Sequence, residues 1–198
     1  MKWTIPAAAL AAALSMPACG AEEPAVEAGS TDTVAAADTL IAVPAICSAA
    51  SLDPALPAEP ELPMAVAATR AAIAHAAVAC DYAALDSIAA SPDFTYSFGD
   101  GLSAGEFWRE AEDQGEKPLW MLVRSLALPW IREQDPPEDL PLYIWPSAYR
   151  LEPTEEDWAA LEGVYSIEEI EAYRDIGFIG WRAGIAEDGE WRFFVAGD

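Results

Sequence analysis

Positive charge is what this 198-residue chain has least of: ten lysines and arginines stand against 34 aspartates and glutamates, a formal net charge of −24. Such a balance repels phosphate backbones and anionic head groups, so recognition of nucleic acid by a basic face is excluded, while cationic partners are electrostatically allowed. Histidine is scarcer still. His75 is the single imidazole, and Cys19, Cys47 and Cys80 include no close pair, so no metal site is expected. No G-x-S-x-G elbow or activated-cysteine context accompanies His75, which removes the usual nucleophilic triads. Walker and G-x-G-x-x-G loops are missing as well, and with them nucleotide binding by those devices; no cofactor and no catalytic residue is called for. Asp93 and Asp100 lack oxygen ligands at EF-hand spacing and are assigned to turns. Strong hydrophobic runs are also wanting. The charge-free stretch between Lys2 and Glu22 is mostly alanine, interrupted by Pro6, Pro17 and Gly20, too weak for a stable span of about 20 residues.

What that stretch does have is the three-part pattern of an export signal: Met1 and Lys2, apolar residues 3–14, and small or flexible residues 15–18. The segment Ser15-Met16-Pro17-Ala18-Cys19-Gly20 resembles a bacterial lipobox, although Met16 and Pro17 replace the usual leucine and small residue. The resemblance implies that residues 1–18 are a signal peptide, that Cys19 receives diacylglycerol, and that the new amino group is acylated. Several acyl chains on one residue exceed the marginal affinity of a single chain. Gly20, in place of the aspartate that retains such proteins at the inner membrane, implies the periplasmic face of the outer membrane. Loss of residues 1–18 leaves nine bases against 34 acids, a formal −25.

Residues 19–63 are dominated by Ala, Pro, Glu, Asp, Ser and Thr without periodicity, and are read as a disordered acidic tether. A flexible segment of about 40 residues reaches on the order of 35 Å. Leu40 to Val43 and Ile46 could dock on the domain if Cys47 is bridged. With Cys19 assigned to lipid, Cys47 and Cys80 form an even pair in an oxidising compartment, which makes a disulfide the expectation over two unrelated thiols.

Residues 64–198 are read as one α+β domain: an antiparallel sheet of about four strands with a C-terminal β-hairpin, covered by several helices. Pro63 opens a helix to about Ala79, and Asp81 caps a second. Ser103…Glu106, Thr154…Asp157 and Ser166…Glu169 are capping boxes, each opening a short helix. Pro118 begins another in which Leu119, Leu122, Val123 and Leu126 share one face. Residues 94–98 and 143–145 alternate as strands. At the C-terminus, a three-residue loop Glu187-Asp188-Gly189 with Gly189 left-handed pairs Ala186 with Glu190. It places Trp181, Ala183 and Ile185 on one face with Trp191, Phe193 and Val195, which a two-residue turn would split.

Leading helices followed by a sheet ending in an aromatic hairpin resemble an NTF2-like cone, with fewer strands than such cones use. Asp81-Tyr82-Ala83-Ala84-Leu85, residues 94–99, Tyr143-Ile144-Trp145-Pro146 and residues 193–198 resemble a group of uncharacterised proteobacterial exported proteins, a likeness that spans the domain and carries no activity to transfer.

The expected function is a lipid-anchored periplasmic protein whose domain binds an envelope protein or small ligand without catalysis. Trp108, Trp130, Asp135, Glu138 and Tyr143 are the ligand-binding candidates, with Asp135 and Glu138 in the acidic loop at residues 132–140 and Trp130 and Tyr143 framing it. The alternative is a cell-envelope enzyme using carboxylate acid/base chemistry on glycan, with Glu106 and Glu110 flanking Trp108. A third possibility is a ligand carrier with an apolar pocket around Phe94, Trp120 and Trp181.

Overall fold

The structure, a computed structural model, describes residues 47–97, 101–134 and 140–197. Cys19, the export signal, the tether up to residue 46, and the binding candidates Asp135 and Glu138 lie outside the described residues.

Local signals account for most of the helices. α1 (Met64–Val78) follows Pro63, and α2 (Tyr82–Ile88) is capped by Asp81, whose carboxylate accepts from the Ala84 amide at 2.9 Å. Between them the chain reverses through Cys80, left-handed at φ 56°, with Asp81 N bonded to Ala76 O and Cys80 N to Ala77 O. That bond pair is a Schellman motif with cysteine where glycine is usual. Each expected capping box is formed, opening α3 (Ala104–Asp113), α5 (Glu155–Ala160) and α6 (Ile167–Ile176). α4 (Pro118–Leu126) buries Leu119, Leu122, Val123 and Leu126, as their spacing requires, and leaves Trp120 and Met121 half-buried.

Among the described residues the sheet has five strands rather than about four, and it is mixed rather than antiparallel. Its order is β1 (Thr95–Tyr96), β5 (Trp191–Val195), β4 (Arg182–Ala186), β3 (Leu142–Trp145), β2 (Ile131–Glu133). β1 lies parallel to β5, pairing Thr95 with Phe193, and Ser97 Oγ extends the ladder by donating to Ala196 O and accepting from Ala196 N. Parallel pairing between residues 98 positions apart carries no turn signal, which is why it escapes a sequence reading. β2 was likewise hidden, as three residues with one buried side chain inside an acidic connection.

The terminal hairpin has the expected turn, with Gly189 at φ 92° and Ala186 N bonded to Glu190 O at 2.8 Å. Its faces differ from expectation. Ile185 pairs with Trp191 but Gly184 pairs with Phe193, so Arg192 is an extra residue in a bulge. Beyond it Phe194, not Phe193, turns inward and is fully buried. Two observations explain the slip. Trp191 and Phe194 both pack on Trp108, with centroids 5.7 and 5.8 Å away, while Phe193 lies over Gly184, where a Cβ would come within 2.3 Å of the ring. Arg192 is released to ion pairs with Glu190 and Asp93.

The helices cover the sheet face that carries Tyr143, Trp145, Ala183, Ile185, Trp191 and Phe194, all buried with Ile73, Trp108, Leu122 and Leu126. α5 and α6 hold a smaller cluster around Trp158, Leu161, Tyr165 and Phe178.

The folded body begins before Met64. Residues 47–62 form a strap on α1, α3 and α4, so the folded body includes residues placed in the tether by the expected boundary at residue 63. Cys47 is disulfide-bonded to Cys80, Ala49 is fully buried, and Leu62 is buried. The strap's apolar residues show no period, yet Ala49 and Leu62 are buried in the core, and Cys47, Leu52 and Leu56 pack against it. That pattern is invisible until the helices are packed.

Candidate ligand-binding site

The strap is held by two buried charges of opposite sign. Glu112, on the inner side of α3, has no exposed surface and accepts from Ser48 N and Ser48 Oγ at 2.6 Å each and from Leu119 N at 3.1 Å. Its carboxylate therefore satisfies an orphan amide at the start of α4 while fixing the first residues of the strap. Arg70, in the middle of α1, donates through Nε and Nη2 to Leu126 O at 3.0 and 2.6 Å, closing the C-terminus of α4. Through Nη1 it donates to Pro57 O at 3.0 Å, and its guanidinium lies 5.5 Å from the Trp145 ring centroid. Burial lowers the Arg70 pKa, with Glu59 acting in the opposite direction.

Between strap and helix lies a cleft of about 260 Å³, walled by Leu56, Pro57, Glu59 and Leu62 on one side and by Arg70 and His75 on the other. Ala67, Arg70, Ala71 and His75 recur at the three- and four-residue spacing of one helical stripe, so α1 presents them together. His75 is exposed at this rim, and Arg70 is only 4% exposed.

A second, shallower hollow of about 410 Å³ lies against the outer strand, lined by Trp130, Ile131, Arg132, Glu133 and Arg150. Trp130 joins the two regions: it lines this hollow, its indole N–H donates to Glu59 of the strap at 3.4 Å, and its ring packs on Tyr143 at 5.3 Å.

Trp130 alone among the described binding candidates reaches a hollow. Trp108 has no exposed surface and is packed among Phe94, Tyr96, Trp191 and Phe194, so its part is in the core and the surface role expected for it is withdrawn. Tyr143 is 4% exposed; its ring serves the core, and its hydroxyl bonds Glu187 at 3.4 Å. The carrier pocket around Phe94, Trp120 and Trp181 is not assembled: Phe94 packs on Trp191, Trp181 stacks on Phe194, and Trp120 carries Arg124. Arg70 and Glu112 were missed. Only their position within otherwise apolar helical stripes hinted at burial.

Glu106 and Glu110 are both exposed, and the Glu106 carboxylate is occupied by the Ser103 backbone amide in the capping box. Neither lines a described hollow. Among the described residues no group of acids, cysteines and histidine could hold a metal, and no helix is long and apolar enough to cross a membrane.

Fold and site together define an α+β domain with a mixed five-stranded sheet, a helical cover and a disulfide-pinned strap. No protein-family model matches the chain, and neither do curated proteins or solved structures.

Proposed function

We propose that the protein is a lipid-anchored component of the bacterial cell envelope, facing the periplasm, whose domain binds a ligand or protein partner without catalysis. The Cys47–Cys80 bond carries this reading, because a disulfide that pins the strap of a single domain suits an exported chain and not a reducing cytosol. Cys19 then attaches the chain to the membrane, and the acidic residues between it and the strap space the domain from the bilayer. Among the described residues the strap cleft and the hollow at Trp130 are two surfaces available for recognition. The glycan-hydrolase alternative is disfavoured by Glu106 and Glu110, exposed and in one case committed to a helix cap.

The test is fractionation of cells producing the native chain or Cys19→Ala, with mass analysis of the mature N-terminal peptide. The native protein is expected in the membrane fraction with acylated Cys19, and the variant is expected to lose both properties. Native protein recovered in the cytosol, with unmodified Cys19 and reduced Cys47 and Cys80, overturns the reading.

A further inference from the structure

A buried cation normally has an anionic partner, because desolvation of an isolated charge is expensive. Among the described residues the ion pairs are Arg150–Asp157, Arg174–Glu155, Arg192–Asp93 and Arg192–Glu190. Arg70, more deeply buried than any arginine in these pairs, is in none of them. This occurs in a chain with more than three acids for every base, where a carboxylate partner would be the easiest thing to supply. Its bonds are to the neutral carbonyls of Leu126 and Pro57. Three of the five guanidinium N–H donors are used in this way, leaving one on each Nη atom. Glu59, the nearest source of compensating charge, gives one carboxylate oxygen to Trp130.

Arg70 also lines the strap cleft, where Leu56, Pro57 and Leu62 face Ala67 and Ala71, with Glu59 and His75 as the other polar side chains of the lining. We infer that the cleft is a binding site for a small organic carboxylate, with the carboxylate on Arg70 and a short apolar tail between the strap and α1. Arg70 would then have two tasks, closing the strap through Pro57 and providing the missing anion site. The fork geometry of the guanidinium suits a carboxylate better than a single ammonium would. Neither the anchor at Cys19 nor residence in the envelope is needed for this site, so its failure would leave those conclusions standing.

The experiment is a nuclear magnetic resonance titration of the full-length chain carrying Cys19→Ala, so that no acyl group competes for the cleft. Hexanoate is the probe and hexan-1-ol its neutral counterpart. Hexanoate is expected to give saturable shifts at Arg70 Nε–H and at the amides of Ala67, Ala71 and His75, with affinity about tenfold above that of hexanol. Ala71→Phe places a ring in the cleft from an exposed position on α1 and should abolish the shifts while the rest of the spectrum is retained. Arg70→Lys should weaken hexanoate towards the level of hexanol. Absence of saturable shifts, equal affinity for the two probes, or native binding by folded Ala71→Phe would overturn the proposal.

Discussion

Asp157 shows how one side chain can serve three structures at once. Its carboxylate completes the capping box of α5, accepts from Ser147 Oγ at 2.5 Å, and pairs with Arg150 Nε at 3.2 Å. Burial pushes its pKa up, but hydrogen bonds from Ser147 and Thr154, with the charge of Arg150, outweigh this and leave it lowered. A carboxyl depressed on folding contributes stability that is present above its unfolded value, near 3.9, and is lost as pH falls through the lower folded value. Asp157→Asn is therefore expected to cost about 2 kcal/mol at pH 7 and to flatten the fall of stability below pH ~4. Urea denaturation at a series of pH values measures both, and an unchanged acid limb would reject the assignment. Glycine also matters at this scale. Gly105 sits in the first turn of α3, where a Cβ would lie 2.5 Å from the backbone oxygen of Tyr82, so the crossing of α2 and α3 requires its absence. Asp86 fills the remaining space and accepts from Gly105 N and Ser103 Oγ.

The strap joins three helices that are far apart in the chain: Cys47 is bonded to Cys80 beyond the end of α1, Ser48 bonds Glu112 of α3, and the Trp120 amide of α4 donates to Ser48 Oγ. It begins at the disulfide to Cys80, whose left-handed backbone would cost a non-glycine residue on the order of 1 kcal/mol or more. The bond helps retain cysteine at a position that otherwise favours glycine. Its two sulfurs close a loop between residues 33 apart, which stabilises by about 4 kcal/mol if the effect is loss of entropy in the unfolded chain. Reduction should lower the melting temperature accordingly and raise amide exchange first in residues 47–62. Glu112 and Arg70 bond α4 independently of the disulfide, so the helices beneath are expected to hold their protection. Uniform loss of protection over α1, α3 and α4 at the same rate would show that the strap is not a separable unit.

At the scale of the whole molecule, the excess of 24 negative charges opposes compaction, and most acids are on exposed helix and loop positions where salt can screen them. Raising ionic strength from about 0.01 to 0.15 M shortens the screening length from roughly 30 to 8 Å. The melting temperature is expected to rise by about 4 °C, equivalent to roughly 1 kcal/mol for a domain of this size. Calorimetry across a sodium chloride series gives the answer, and a fall with salt would mean that attractive ion pairs, not self-repulsion, dominate the surface.

Sequence alone determined what is settled within a turn or two of chain. The three capping boxes, the buried stripe of α4 and the left-handed Gly189 turn were legible because a helix start needs its acceptors three residues apart and a tight turn needs a residue free to adopt positive φ. The Cys47–Cys80 bond was an expectation that rested on setting Cys19 aside, with two unrelated thiols as the alternative, and the structure has the bond. Other features depended on contacts between residues far apart. Ser48 meets Glu112 across 64 positions and Arg70 reaches Leu126 across 56, so a strap that reads as tether becomes part of the core only after α1, α3 and α4 have made its seat. The bulge at Arg192 was decided by Trp108, which accepts Trp191 and Phe194 together and leaves Phe193 to Gly184. For the same reason Trp108 belongs to the core and Arg70 lies buried between α1 and the strap: burial belongs to the packed molecule, and neither residue's own neighbours in the chain report it.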